Sequence, residues 1–269
     1  MHELVVERRR GARERVVLRR YVRADWLARE PDLAPREARA LRLASRAEVA
    51  TPELIAVDAD GSECDVPAVL MSRVPGRVRM EPRDLDGWLR QMAEVLPAIH
   101  AVDDAEVAEL QRYQTWADLD ELEAPRWTRE PEAWAAVIAL AQGRRPRVKA
   151  RFIHRDYHPM NVVWSRGRLS GVVDWTNASV GPPGNDVAWC RQNLVASHGL
   201  KAAEQFRELY EAVAGEEQHP VWDALGVIEM LPGGGPQVAQ LHDVGLTSLT
   251  RRTLRARFDS YAVSIARRV

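Results

Sequence analysis

The segment FIHRDYHPMNVVW, residues 152–164, places several polar side chains between two apolar, β-like runs. Asp156 and Asn161 are five residues apart, and Asp174 follows a later apolar run, GVV. A hairpin between the runs would bring Asn161 and Asp174 together, and an amide oxygen with a carboxylate suits Mg²⁺ when water and phosphate oxygens complete its shell. Asp156, on the same loop, would then accept the proton of a hydroxyl group. The pattern therefore predicts chemistry on a phosphate.

The order of these residues is that of the protein-kinase-like phosphotransferases. HRDYHPMN has the pattern H-x-D-x-x-x-x-N, and VVDW supplies the later Asp at a strand end. More narrowly, the chain resembles the aminoglycoside phosphotransferase and choline kinase-like families, because Trp175 follows Asp174 and GPPGNDVA then supplies a structural aspartate, Asp186. The short stretch from Asp174 to Asp186 disfavours a protein kinase. The resemblance is strongest over residues 152–190 and weaker across most of the chain.

The resemblance implies a role for each residue of the motif. Asp156 would be the catalytic base that orients the acceptor hydroxyl, and Asn161 and Asp174 would be the Mg²⁺ ligands. His154 would brace the loop, and His158 would pack against it or stabilise it.

Other polar residues have no single expected role. Arg155 would either contact a phosphate or face water. The acceptor pocket of these families is built from C-terminal helices, where the candidates are Asp223, Glu229, His242 and Asp243. Surface exposure explains each of these four equally well.

A kinase-like enzyme needs a cation on an N-terminal strand to hold phosphates, paired with a glutamate on a helix. Neither lysine of the chain, Lys149 or Lys201, lies in that part of the sequence. Arg19 in VVLRRYV stands at the matching position, and Glu37 in PREARAL matches the partner. Arginine offers a bidentate fork instead of a point charge, so phosphate binding is compatible with this replacement. The alternative is a surface arginine and a surface glutamate.

Two further N-terminal features bear on nucleotide binding. VLMSRVPG resembles the hinge that binds adenine through main-chain groups of residues 71–74, which include Met71 and Arg73, although the run could equally be a core strand. The start of the chain departs from the family, because only fifteen residues precede Val16 and ERRRGARER is a poor nucleotide loop. Either the first strand and its phosphate loop are missing, or the true start lies upstream.

The elements that must position these residues divide the chain at Pro75-Gly76. Before it, the patterns predict a hairpin of the strands 3–7 and 16–22, a helix at 35–47, and two strands within 51–74. After it, they predict helices at 85–102 and 131–142, short strands near 152–153, 162–164 and 169–173, and a mostly helical remainder from Val187. LPGGGP (231–236) is predicted to be a connector.

These elements predict an α+β, bilobal protein-kinase-like fold. Residues 1–75 would form a small, shortened, β-rich nucleotide-binding lobe. Residues 76–269 would form a larger, mostly helical lobe with the catalytic loop and the acceptor site.

Composition excludes several other classes of protein. The chain has 269 residues, of which 46% are hydrophobic, so disorder is excluded. A formal net charge of −1 gives no sign of attraction to nucleic acid or to an anionic membrane. The N-terminus is too charged for a signal peptide, and no apolar run is long enough to span a bilayer. Cys64 and Cys190 match no disulfide or metal spacing, which indicates reduced thiols in a cytoplasmic protein.

The leading hypothesis is a Mg²⁺-dependent small-molecule kinase that transfers the γ-phosphate of ATP or GTP to a hydroxyl of an antibiotic-like or other small substrate. Aminoglycosides, macrolides, amino alcohols and sugars are all possible acceptors. The alternative is a catalytically silent module of the same fold with a binding or regulatory role, suggested by the short N-terminal lobe and the missing lysine.

Overall fold

The computed structural model of the protein describes residues 1–7, 11, 13–231 and 238–269. The N-terminal part holds an antiparallel sheet of four strands within these residues, in the order β1-β2-β4-β3. Its strands are β1 (His2–Glu7), β2 (Arg13–Arg20), β3 (Leu54–Asp58) and β4 (Ala68–Ser72). Pairing of β1 with β2 confirms the predicted hairpin, while its loop residues 8–10 and 12 lie outside the described residues. Pairing of β3 with β4 confirms the predicted strands around Asp60-Gly61.

Two helices lie between β2 and β3, namely α1 (Ala24–Arg29) and α2 (Leu33–Ala44). The second matches the predicted helix at 35–47, and it packs against β3 and β4. Helix α2 buries leucine and alanine together with two charged residues, Arg36 and Glu37, of which Glu37 is fully buried. A buried carboxylate needs a partner, because burying an unpaired charge is costly.

The C-terminal part is mostly helical, as predicted. Its helices are α3 (Leu85–His100), α4 (Pro131–Gln142), α5 (Pro183–His198), α6 (Leu200–Ala214), α7 (Pro220–Ile228), α8 (Val238–Asp243) and α9 (Arg251–Ala266). Two small antiparallel pairs complete it, β5 (Arg151–Ile153) with β8 (Ser179–Gly181) and β6 (Val162–Ser165) with β7 (Arg168–Val172). The predicted connector at 231–236 falls almost entirely on residues 232–237, outside the described residues. In the described ranges no helix is both long and apolar enough to cross a membrane.

The connector after β4 packs directly against the hairpin of β6 and β7. Arg77 exchanges two main-chain hydrogen bonds with Trp164 of β6, at 3.1 and 2.9 Å. Gly76 has φ +133°, and a Cβ there would lie 2.9 Å from the Trp164 carbonyl oxygen. Glycine at 76 therefore permits the close approach between the connector and β6.

A buried ionic cluster joins α5, α7 and α9. Asp223 accepts hydrogen bonds from Arg191, from Nη1 of Arg268 at 2.7 Å and from the Tyr261 hydroxyl at 3.2 Å. The side chains of Asp223 and Arg191 are both fully buried. Asp223 was a candidate for the acceptor pocket, and that expectation was wrong because its carboxylate is occupied by two arginines.

Removing this carboxylate should destabilise the fold strongly. Asp223→Ala would remove the fully buried partner of Arg191 and leave the guanidinium with the more exposed Glu204, and breaking a buried pair typically costs about 3–5 kcal/mol. Urea unfolding followed by circular dichroism should show this loss in the free energy of unfolding. The exposed Asp103→Ala serves as the matched control. A loss below about 1 kcal/mol, the range of a surface ion pair, would contradict the assigned role.

Candidate active site

The hairpin of β6 and β7 brings the ends of two segments together. Asn161 directly precedes β6, and Asp174 lies two residues after β7. Val162 pairs with Val172, and the Val173 N–H donates to the Asn161 carbonyl at 2.9 Å. The hairpin predicted between these runs is confirmed, and it places Asn161 and Asp174 at the same end of it.

His154 links the catalytic loop to the Asp174 segment. Its ring Nε2 lies 3.0 Å from the Val173 carbonyl, and its Nδ1 accepts the Asp156 N–H at 3.3 Å. These contacts assign the proton to Nε2. Burial lowers the pKa of His154 despite nearby carboxylates, so the ring is neutral and acts as a brace.

Asp186 binds the main chain at the start of the same loop. Its Oδ1 accepts the Arg155 N–H at 2.7 Å, and its Oδ2 accepts the His154 N–H at 2.9 Å and faces His100 Nε2 at 3.0 Å. Arg155 has φ +70°, a left-handed conformation that is unfavourable for a non-glycine residue. Two main-chain hydrogen bonds to one buried carboxylate stabilise this turn.

The Asp156 carboxylate is held in place by three side chains and remains 22% exposed. Trp189 Nε1 donates to Oδ1 at 2.7 Å, His158 Nε2 lies 3.3 Å from Oδ1, and Asn161 Nδ2 lies 3.2 Å from Oδ2. Burial alone would raise the pKa of Asp156, but the hydrogen bond and charge of His158 together with the Trp189 N–H lower it below its usual value. The carboxylate is therefore ionised at neutral pH and can accept a proton.

Arg19 lies at the centre of a buried charge cluster that joins the sheet to the catalytic segment. Its Nη1 is 3.0 Å from Glu37 Oε1 and 2.7 Å from Asp174 Oδ1, and it also contacts the Thr176 hydroxyl. The Tyr21 hydroxyl donates to the other Glu37 oxygen at 2.6 Å. The side chains of Arg19 and Glu37 are 12% and 1% exposed, so the alternative of a surface pair was wrong.

The ionisation of Arg19 and Glu37 depends on burial and on the neighbouring charges of the cluster. Burial opposes the charge of Arg19, but Glu37 and Asp174 together outweigh it and raise the pKa of the guanidinium. Burial also raises the pKa of Glu37. Arg19 is therefore a permanent cation beside a carboxylate expected to bind metal.

The oxygens of Asn161 and Asp174 fit a magnesium ion. The hydrogen bonds that the structure describes for the Asn161 amide use Nδ2, which donates to the Asp156 carbonyl at 2.9 Å, so Oδ1 remains available. The contacts of Asp174 involve Oδ1, which leaves Oδ2. Residues 1–7, 11, 13–231 and 238–269 contain no cluster of three or more His, Cys, Asp or Glu that could hold a metal. A site with two protein ligands, completed by phosphate oxygens and water, is how Mg²⁺ is commonly held.

A family model described as the phosphotransferase enzyme family matches residues 2–227. The chain belongs to this phosphotransferase family. Among curated proteins, none matches the chain.

Solved structures of other family members share the fold of this phosphotransferase. An apo crystal structure of a thermostable mutant of aminoglycoside phosphotransferase APH(4)-Ia is 19% identical, with a TM-score of 0.60, and the match covers 98% of this chain and 94% of that chain. A ternary complex of a further mutant of that enzyme with ADP and hygromycin B has a TM-score of 0.61 at 18% identity, covering 99% and 93%. Macrolide 2′-phosphotransferase MphH from Brachybacterium faecium is 19% identical, with a TM-score of 0.57 and coverage of 93% of each chain. The predicted bilobal α+β fold is confirmed.

The two residues predicted for the hinge of this phosphotransferase lie apart from the charge cluster. Met71 is a buried residue of β4, paired with Val17 and Leu54 on either side. The Arg73 N–H donates to the Arg15 carbonyl at 3.3 Å, and its Nε lies 3.2 Å from Glu3. Neither shares a hydrogen bond or ion pair with the other predicted site residues in the described ranges. Their role in binding adenine stays a prediction.

Both expectations for Arg155 were wrong, since it contacts neither solvent nor an open phosphate site. The residue is 3% exposed, and its guanidinium pairs with both oxygens of Glu229 at 3.2 Å. This pairing also occupies Glu229, another acceptor candidate. The ring Nε2 of His242 lies 2.8 Å from the Leu249 carbonyl, which accounts for a third candidate.

Three contacts to the predicted site residues of the phosphotransferase were not expected from the sequence. Tyr21 holds Glu37, Thr176 bridges Arg19 to Asp174, and Trp189 holds Asp156. Spacing could have indicated Trp189, which lies three residues after Asp186 and therefore on the same side of α5. Thr176 belongs to an irregular segment, and no periodic pattern marks it.

Proposed function

We propose that the protein is a Mg²⁺-dependent small-molecule kinase that transfers the γ-phosphate of ATP or GTP to a hydroxyl of an antibiotic-like or other small substrate. The observation that carries the proposal is the ionised, partly exposed Asp156 carboxylate beside the Arg19–Glu37–Asp174 cluster. Family membership and the shared fold support it. A silent module would have no physical need for this set of groups.

The proposed roles follow from the geometry. Asp156 accepts the proton of the acceptor hydroxyl. As that proton leaves, the hydroxyl oxygen bonds to the γ-phosphorus, and the bond from the γ-phosphorus to the bridging oxygen of the diphosphate breaks. Asn161 Oδ1 and Asp174 would hold Mg²⁺, which would neutralise charge on the phosphate oxygens. Residues 1–75 would bind the nucleotide, with adenine on main-chain groups of residues 71–74, and residues 76–269 would bind the acceptor.

Arg19 has a second proposed task besides its contact with Glu37. In the structure it pairs with Asp174, the same carboxylate that would bind the metal. When a nucleotide enters, Arg19 would keep Glu37 and turn towards the phosphates, which releases Asp174 for Mg²⁺. Arginine suits this task because its fork holds two acceptors at once.

Arg19→Met should weaken nucleotide binding by roughly 10- to 100-fold, since a charge-assisted hydrogen bond contributes about 1.5–3 kcal/mol. Arg19→Lys should retain part of the affinity, because it keeps the positive charge without the fork. Titration calorimetry with Mg–ATP would measure both. Arg20→Met, on the opposite face of β2, is the matched control. Equal affinity in Arg19→Met and Arg20→Met would remove Arg19 from the phosphate site.

The first experiment is a calorimetric titration of the chain with ATP and with GTP, each with and without Mg²⁺. Metal-dependent binding of either nucleotide is expected, and release of ADP or GDP with a panel of hydroxylated acceptors would then identify the substrate. An absence of binding to both nucleotides would favour the silent module.

A cytoplasmic location is part of the proposal, since both cysteines are unpaired thiols.

A further inference from the structure

The catalytic carboxylate is oriented by an aromatic side chain that no kinase motif includes. Trp189 on α5 donates its indole N–H to Asp156 Oδ1 at 2.7 Å. Asp186, three residues earlier on α5, holds the main chain of the same loop. One helix therefore fixes both the backbone and the carboxylate of the catalytic loop.

A second indole extends from Trp189 towards solvent. Trp116 meets Trp189 edge to face, with ring centroids 5.6 Å apart and an interplanar angle of 78°. Trp116 is 56% exposed, which is unusual for a large aromatic side chain. Asp156, Trp189 and Trp116 thus form a continuous path from the catalytic carboxylate to an exposed aromatic surface.

Trp116 has contacts to both its ring and its main chain although it is exposed. The Arg155 guanidinium lies 3.8 Å from the centroid of its ring and 4.5 Å from that of Tyr113. The main-chain N–H of Trp116 donates to Glu229 Oε1 at 3.2 Å, and Glu229 in turn pairs with Arg155. An aromatic ring that already has such contacts loses less conformational freedom when a ligand binds.

The two charged side chains next to Trp116, Arg155 and Glu229, cancel each other and therefore favour an uncharged ligand surface at this ring. Glu229, the carboxylate that accepts the main-chain N–H of Trp116, is neutralised by Arg155. Arg155 already polarises the π electrons of Trp116, so a second cation against this ring gains less than it would on a free indole. Apolar C–H groups or a planar ring carry no such disadvantage.

We infer that Trp116 and Trp189 form the acceptor subsite, that it takes a ring-bearing alcohol through an uncharged ring face, and that Trp189 positions Asp156. The inference rests on the proposed function, in which Asp156 meets the acceptor hydroxyl. It narrows the acceptor class to cyclic alcohols, such as sugars or macrocycles, and away from open-chain amino alcohols. Trp116 would set acceptor affinity, and Trp189 would set the orientation of the catalytic carboxylate.

Binding measurements test the subsite without any turnover. The probes are 4-methylumbelliferyl β-glucoside and a macrolide as ring-bearing alcohols, hygromycin B as a polycationic one, and choline as an open-chain amino alcohol. At least one of the first two should bind, with roughly fivefold weaker affinity in Trp116→Ala and recovery in Trp116→Phe. Tighter binding of choline, absence of binding by both uncharged-face probes, or equal affinity in Trp116→Ala would overturn the inference.

The positioning role of Trp189 has its own readout. Trp189→Phe keeps an aromatic ring but removes the N–H that donates to Asp156 Oδ1 at 2.7 Å. The kcat for phosphoryl transfer should therefore fall by roughly tenfold, while the acceptor KM and the Mg–nucleotide affinity are unchanged. A purely structural Trp189 would lower the melting temperature and leave the kcat of the folded enzyme unchanged. If Mg–nucleotide binding itself is absent from the unaltered chain, the proposed function fails, whereas loss of the probe effects alone fails only this inference.

Discussion

Asp156→Asn is expected to lower kcat for phosphoryl transfer by roughly 10²- to 10⁴-fold, the range that general-base catalysis contributes. The substitution keeps the shape of the side chain, and its amide oxygen can still accept the Trp189 N–H. What it loses is the ability to accept a proton, because an amide is not basic at neutral pH. The affinity for Mg–nucleotide should stay unchanged, since the residues that would bind it are Arg19, Asn161 and Asp174.

The measurement is initial velocity at saturating nucleotide and acceptor, paired with calorimetry for nucleotide affinity. Asp103→Asn, an exposed carboxylate outside the site, is the matched control and should turn over normally. Near-normal kcat in Asp156→Asn would exclude the residue as the base. A loss of nucleotide affinity together with kcat would assign it to the metal site instead.

The pH dependence of the reaction gives the same carboxylate a second test. The basic form of Asp156 is lost as pH falls through its pKa, and that pKa lies below the usual value because His158 and Trp189 outweigh burial. The pH at which kcat falls on the acid side should therefore be lower than for an unperturbed aspartate. At higher pH, kcat should not depend on pH. An acid limb near neutral pH would indicate another base.

Local patterns in the sequence were enough to predict most elements of the fold. The helices α3 and α4 follow from apolar spacing over twelve or more residues, and each was placed to within about two residues. The short elements α1 and β8 were missed, because six residues are too few to establish a helical period and β8, with the sequence SVG, contains no apolar run. The catalytic loop and the β6–β7 hairpin were predictable because their residues are close together in the chain.

Long-range contacts were predictable only where a family resemblance supplied them. The pairing of Arg19 with Glu37 was expected from the kinase-like pattern alone. The contact of Arg19 with Asp174, which is 155 residues away, was not predicted. Arg155 and Glu229 are 74 residues apart and belong to no motif, so Arg155 was expected on a phosphate or in water. Its burial between two aromatic rings depends on tertiary packing, which a sequence pattern does not encode.

Asp174→Asn should remove the dependence of nucleotide binding on Mg²⁺. The neutral amide is a weak ligand for a hard cation, so affinity with Mg²⁺ should fall by about tenfold or more, equal to at least 1.4 kcal/mol. Without Mg²⁺ the variant should bind nucleotide no more weakly than the unaltered chain. Arg19 is then no longer held at 2.7 Å by a carboxylate and is free to contact the phosphates.

Calorimetric titrations in Mg²⁺ and in EDTA separate these two effects of one substitution. Asp65→Asn, a 96% exposed carboxylate of the N-terminal part, is the matched control and should behave as the unaltered chain in both buffers. Unchanged affinity in Mg²⁺ would remove Asp174 as a metal ligand. Equal losses of nucleotide affinity in both buffers would mean that Asp174 acts by positioning Arg19 for the nucleotide and not by binding the metal. If Asp174 binds the metal, its substitution should have no effect on affinity in EDTA, where the metal is absent.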